Sequence, residues 1–228
     1  MEKIVFIFMV FVTIFSYFIF NKIFKNKQFI FFHPAIASPI LVIIILFNIL
    51  DLDFSTYNQV YDFSLVLLGP LTTSFAVPIY QFRKIILENK LVIFLGVFFS
   101  IFINFFATLG FYYIFNFEEF LKNTLFARSI STPFAVMLTE QIQGDAKLVA
   151  VLTMITGIIG MIFGNFFLKI FPKLNLMERG ISFGCSAHGS GVAISYISSE
   201  KEGVIASISM ILAGIITVVL IPFLINFI

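Results

Sequence analysis

Long apolar runs separated by short polar connections dominate the chain. They extend from Ile4 to Phe20, Pro34 to Leu50, Phe63 to Tyr80, Leu91 to Phe115, Leu148 to Phe171, Met177 to Ser198 and Val204 to Ile228. Each is roughly 17 to 25 residues long, the length an α-helix needs to cross a hydrocarbon core of about 30 Å. The pattern predicts an all-α, polytopic membrane protein with about seven transmembrane helices. An eighth and weaker segment, Thr124 to Gln141, carries Arg128, Ser129, Ser131, Thr132, Pro133, Thr139, Glu140 and Gln141 and is the least compatible with lipid. No Gly/Ser-rich linker interrupts the runs, so residues 1–228 read as one membrane domain, with 1–33 a peripheral first helix and basic loop.

Loop charges orient these runs. Lys22, Lys25 and Lys27 make the first connection basic, Asp51, Asp53 and Asp62 make the second acidic, and Arg83, Lys84 and Lys90 make the third basic. Basic loops stay in the cytoplasm, which puts the N-terminus outside. The next strongly basic loop, with Lys169, Lys173 and Arg179, faces the cytoplasm only if 124–141 enters and leaves on the outer side. A re-entrant or broken segment is therefore expected there, tolerable where protein or water surrounds it. With Met177 to Ser198 and Val204 to Ile228 both crossing, the C-terminus is expected in the cytoplasm.

The sequence also echoes itself. Leu71-Thr72-Thr73-Ser74-Phe75-Ala76-Val77 resembles Ile130-Ser131-Thr132-Pro133-Phe134-Ala135-Val136. Lys90-Leu91-Val92 returns at Lys147-Leu148-Val149, with Asn-Phe-Phe further along each following helix, at Asn104 and Asn165. Weak self-similarity of this kind marks the repeats of secondary transporters, and with a re-entrant 124–141 the two helices run in opposite directions, as inverted repeats do.

Composition narrows the class. With 60% hydrophobic and 11% charged residues, the chain is far from a soluble domain, and a formal charge of +2 gives no reason to expect nucleic acid. The single cysteine, Cys185, excludes an internal disulfide and a cysteine zinc cage. No phosphate-loop, dinucleotide or metal-ligand signature appears, so no cofactor and no enzyme are expected. Ser190 and His188 cannot pair as nucleophile and base, because near neighbours on a helix do not face each other.

Two stretches carry candidate chemistry. Gly184 to Gly191 reads G-C-S-A-H-G-S-G in the middle of an expected span. Close helix packing accounts for its small residues but not for His188, a group suited to binding an acid or carrying a proton. Arg128 to Val136 reads R-S-I-S-T-P-F-A-V. A helix beginning at Pro133 would aim free N–H groups inward and attract a carboxylate, with Ser131 and Thr132 beside it; a simple proline kink with hydroxyls bound to their own backbone fits equally. Arg128 reads either as an anion attractor or as a cation snorkelling to the surface. Glu140 is a second proton-carrier candidate or a surface residue, and Thr72 and Thr73, between Pro70 and Pro78, mark a second broken helix. His33, before Pro34, reads as an interfacial loop residue.

At these residues the chain resembles the LrgB/CidB family of holin- and antiholin-like membrane proteins. The similarity lies in L-L-G-P…A-V-P-I-Y (Leu67 to Tyr80), S-x-S/T-T-P-x-A (Ser129 to Ala135), E-Q-I (Glu140 to Ile142), T-G-I-I-G (Thr156 to Gly160) and R-G…G-x-x-x-H-G-x-G (Arg179 to Gly191). Gln143-Gly144 stands where the family has G-G. The resemblance implies control of murein hydrolase activity and autolysis beside a small LrgA/CidA-like subunit. Through plastid relatives that exchange glycolate and glycerate and bacterial relatives linked to pyruvate uptake, it also implies a cell-membrane transporter of small monocarboxylates. Such a transporter would be coupled to protons or ions, work by alternating access and assemble as a homo-oligomer. A holin-like pore or regulator is the alternative. On this reading a carboxylate lies between Arg128, Ser131, Thr132 and Pro133 on one wall and Cys185, Ser186, His188, Gly189 and Ser190 on the other, with Thr72 and Thr73 nearby.

Overall fold

The structure, a computed structural model, describes residues 2–27, 29–51, 54–74, 76–225 and 227. They form two compact units, Met1–Leu71 and Thr72–Ile228. No strand occurs among the described residues.

The first unit holds α1 (Glu2–Lys27), a 3-10 turn (Ile30–Phe32) and α2 (Pro34–Ile43), which continues as a π-helix (Ile44–Ile49), followed by most of α3 (Phe54–Ser74). Pro34 opens α2, where its missing N–H costs nothing, and His33 caps the helix by accepting the Ala35 N–H at 3.3 Å. Met9 and Val12 pack with Val42, Leu46 and Val60 to form this unit's core.

The second unit contains the end of α3, α4 (Ala76–Gln81), α5 (Arg83–Glu88), α6 (Lys90–Phe115), α7 (Glu119–Ala127), α8 (Thr132–Gln141), α9 (Ala146–Ile170), α10 (Leu176–Ser198) and α11 (Glu200–Ile225). Four described helices, α1, α6, α9 and α11, are long and apolar enough to cross a membrane. The expected seven are not reached, for three physical reasons. The run from Phe63 to Tyr80 is shared between α3 and α4, with Phe75 outside the described residues. The run from Pro34 to Leu50 is a shorter helix that changes to π geometry. The run from Met177 to Ser198 is not one straight helix.

That last run is a hairpin. α10 has 23 residues, but His188 at its middle has φ 49° and ψ −130°, which no helix accommodates. The Arg179 Nη2 donates to Ser198 Oγ at 3.3 Å, although a straight helix would hold these residues roughly 28 Å apart. Gly191 lies against the Phe183 carbonyl, as two antiparallel arms require. Arms 176–187 and 189–198 therefore double back at His188. Their open end is tied by a buried Glu202 on α11, whose Oε2 accepts from Ser198 Oγ at 2.9 Å and stands 3.3 Å from Arg179 Nε.

α7 and α8 form a second hairpin. At nine and ten residues they extend about 13 and 15 Å, too little for either to cross alone. α7 runs back along α6, with the tilted Phe126 and Phe105 rings 5.2 Å apart and Lys122 over the Tyr112 ring at 5.2 Å. α8 then returns. Asn123 Nδ2 donates to the Ile142 carbonyl at 2.6 Å and the Asp145 N–H donates to Thr124 Oγ1 at 2.8 Å, which pins the open end shut.

The two hairpins are repeats of one plan. Glu119 and Leu176 start them, Thr132 and Gly189 start their return arms, and Gln141 and Ser198 end them, all at the spacing that separates Lys90 from Lys147. At that spacing Lys122 matches Arg179, Asp145 matches Glu202 and Ser131 matches His188. The open end of α10 sits where α6 and α11 begin, with Gly96 against Ile181 and Gly180 against Glu202 and Ile205. The open end of α7–α8 sits where α6 ends and α9 begins. The hairpins therefore enter from opposite ends of the unit, as inverted repeats do.

Between them runs α9, whose glycine face lets α10 approach backbone to backbone. A Cβ at Gly160 would lie 2.8 Å from both the Ser186 carbonyl oxygen and the Ala187 Cβ. Gly160→Leu should separate the two helices and lower the heat stability of the detergent-solubilised protein by about 1–3 kcal/mol, read as the midpoint for loss of the monodisperse peak on size exclusion. Gly110→Ala, where nothing lies within 4 Å, should leave that midpoint unchanged or raise it.

Candidate functional site

The hairpin tips meet against one turn of α9. Ser131 is the N-cap of α8, with φ −63° and ψ 147°, but its side chain makes no cap hydrogen bond. The hydroxyl is buried and without a partner. Next to it, Thr132 Oγ1 lies 2.8 Å from Thr153 Oγ1 of α9. Thr153 already donates to the Ala150 carbonyl at 2.9 Å, so Thr132 is the donor of that pair. Pro133 occupies the first turn, and Ala135 is the residue whose N–H bonds the Ser131 carbonyl. The N-terminal groups of α8 are thus left facing the tip, carrying the partial positive charge of a helix start.

Opposite stands His188, the reversal point of α10. Its ring is 5% exposed, and neither Nδ1 nor Nε2 has a hydrogen-bond partner. The nearest polar groups to the ring are the Ser129 backbone, within reach of a weak hydrogen bond, and the Arg128 guanidinium, both at the tip of the other hairpin. The return arm begins just after it. Gly189 has open space around its Cα, and Ser190 Oγ would lie 3.2 Å from a Cβ at Gly157, one turn along α9 from Thr153.

Ser131 and His188 are the matched residues of the two repeats, and both present unsatisfied polar atoms at the start of a return arm. A buried polar side chain left unpaired costs about 1–3 kcal/mol. Two of them stand at the two hairpin tips, together with two helix N-termini and the half-buried Arg128.

Of the residues singled out in the sequence, the structure brings together Arg128, Ser131, Thr132, Pro133, His188 and Ser190. Cys185 points elsewhere: it packs with Ile101, Ile181 and Ile208 in the cluster shared by α6, α10 and α11, its Sγ 4.0 Å from the Ser209 carbonyl. Ser186 is exposed and donates to the Ser182 carbonyl at 2.6 Å. Glu140 is exposed at the open end of α8, roughly 13 Å along the helix from Ser131. Thr73 is exposed near the end of α3, and the Thr72 side chain lies outside the described residues. Thr153 and Gly157 escaped sequence reading, since a threonine one turn before a glycine in an apolar helix carries no signal until a partner helix is placed against it.

A non-glycine residue at φ 49° and ψ −130° is strained by about 1–3 kcal/mol, and glycine relieves that strain. His188→Gly should therefore raise the heat stability in detergent by about 1 kcal/mol while abolishing anion-dependent stabilisation. A loss of stability would show instead that the imidazole holds the tip together.

Comparison with known proteins places this arrangement in a family. The model of the LrgB-like family matches residues 13–227. The uncharacterized protein YwbG of Bacillus subtilis is 29% identical over 217 residues, covering 95% of this chain and 96% of its own. The holin-like protein CidB of Staphylococcus epidermidis is 27% identical over 217 residues, covering 95% and 94%. No solved structure matches the chain. With several apolar helices and a family match that runs almost from end to end, this chain is a multi-pass membrane protein and belongs to the LrgB-like family.

Proposed function

We propose that this chain is a holin-like component of the cell membrane that governs its permeability and, through it, cell-wall hydrolysis and lysis. The family match and the printed name of the Staphylococcus epidermidis relative support this reading. A small LrgA/CidA-like membrane protein is the expected partner, and self-association into a homo-oligomer is expected as well. Basic residues Arg83, Lys84, Lys90, Lys169, Lys173 and Arg179 gather at the end of the second unit where α6, α10 and α11 start, which makes that end cytoplasmic. Because α10 doubles back, α11 then ends outside, and the C-terminus is extracellular rather than cytoplasmic as loop charges alone suggest.

One observation favours a more selective molecular act: the unpartnered, buried Ser131 hydroxyl and His188 ring at facing hairpin tips. On this second reading the chain moves small monocarboxylates of the pyruvate, lactate, glycolate and glycerate class by alternating access. The N–H groups of α8 and the hydroxyls of Ser131 and Ser190 bind the carboxylate, Arg128 draws it in, and His188 binds it or carries the coupled proton. Holin-like lysis control then follows from what the protein does to carboxylate pools or to the proton gradient.

Purified protein in liposomes separates the two. A selective carrier takes up labelled pyruvate or glycolate saturably and retains entrapped calcein. His188→Ala and Ser131→Ala each then weaken uptake about 10- to 100-fold, the worth of a hydrogen bond to a charged group. Calcein release indifferent to both substitutions identifies an open pore. Neither uptake nor release, with binding to a cell-wall hydrolase, identifies a regulator.

A further inference from the structure

We infer that the two hairpins are separate gates on one pocket, α7–α8 opening to the face where α9 begins and α10 opening to the face where α11 begins. This rests on the translocation reading and adds how the pocket would be reached. Three observations carry it. The hairpins are anchored at opposite ends of the same unit, α7–α8 through Asn123 and Thr124 and α10 through Arg179, Ser198 and Glu202. Each tip closes on α9 through its own contact, Thr132 on Thr153 and Ser190 on Gly157, one turn apart. Buried polar atoms without a partner stand beside both contacts, on Ser131 next to Thr132 and on His188 two residues before Ser190.

Withdrawing one tip from α9 uncovers the pocket to one face while the other contact still seals it. α9 then serves as the fixed post against which both gates close. The two seals differ in kind. Thr132 is held by a hydroxyl hydrogen bond, whereas the α10 tip packs through Ser186, Ala187 and Ser190 on the glycines of α9.

Cysteine accessibility in liposomes tests this without any substrate. In a Cys185→Ser background, the single variants Ser131→Cys and His188→Cys should each be labelled by a membrane-impermeant thiol reagent from both faces. Labelling of each from one face only would overturn the inference, and Ser131→Cys is conservative enough to fold. Gates can also be locked. A Gly157→Cys/Ser190→Cys pair would place the two Cβ atoms about 3.7 Å apart, within the range a disulfide spans. With that bond formed, Ser131→Cys should lose labelling from the cytoplasmic face by roughly tenfold or more, as expected when an open state is held to a minor population. Labelling from the outer face should persist, and reduction should restore both. A Thr132→Cys/Thr153→Cys bond should do the converse to His188→Cys. Locks that leave the sidedness of labelling unchanged, or that block both faces together, contradict two gates. If labelling switches sides as described but no carboxylate is taken up, the gates stand and the substrate assignment fails.

Discussion

Backbone polar groups cannot be left to hydrocarbon, and this constraint organises the second unit. A helix that stops at membrane depth exposes four N–H or C=O groups, each needing a partner that lipid does not offer. This chain stops helices there four times, at the two ends of Arg128–Ser131 and on both sides of His188. The broken ends are tolerable because they meet one another against α9. Glycines on that helix allow the approach, and the Thr132–Thr153 hydrogen bond and the Ser190–Gly157 contact complete it. Among the buried polar atoms left without a partner are the Ser131 hydroxyl and the His188 ring nitrogens, one at each tip. The proposed site thus follows from how the fold satisfies most, but not all, of its buried polar groups.

The opposite orientation of the hairpins follows from the repeat. Two copies of helix plus hairpin joined in tandem must invert when the first helix crosses and the hairpin does not, because the second copy then starts from the other face. Lys122 and Asp145 in one copy correspond to Arg179 and Glu202 in the other, so charged residues guard both open ends. They have diverged in use. Arg179 and Glu202 form an ion pair across the base of α10, whereas Asp145 caps α9 through the N–H groups of Lys147 and Leu148, and Lys122 turns to Glu119 and Tyr112.

Much of this was legible in the chain. All-α membrane character followed from run length and hydropathy, the break at Arg128 to Pro133 from polar residues and a proline, and the α6–α9 correspondence from the repeated Lys-Leu-Val. The fold-back of α10 was not legible. Its 23 residues have the length of a span, and no proline marks the reversal. The turn falls on His188, beside a glycine that would accept that backbone conformation without strain, so propensity points one residue away. The echo between Thr72 and Ser131 did not point to the match of Ser131 with His188, a residue with no likeness to it. Cys185 and Ser186 fall off the site for a reason visible only in three dimensions. On the first arm they face α11 and the exterior, while the tip alone faces the other hairpin.

The central claim is that α10 turns back at His188, so that both of its flanking connections lie on one face. Single cysteines at Lys173 and Glu200, in a Cys185→Ser background and in intact cells or sealed vesicles, test it most directly with an impermeant thiol reagent. Both positions should be labelled only when the reagent has access to the cytoplasmic face. Labelling of Lys173→Cys and Glu200→Cys from opposite faces would mean that α10 crosses the membrane, and the two-tipped pocket would not exist.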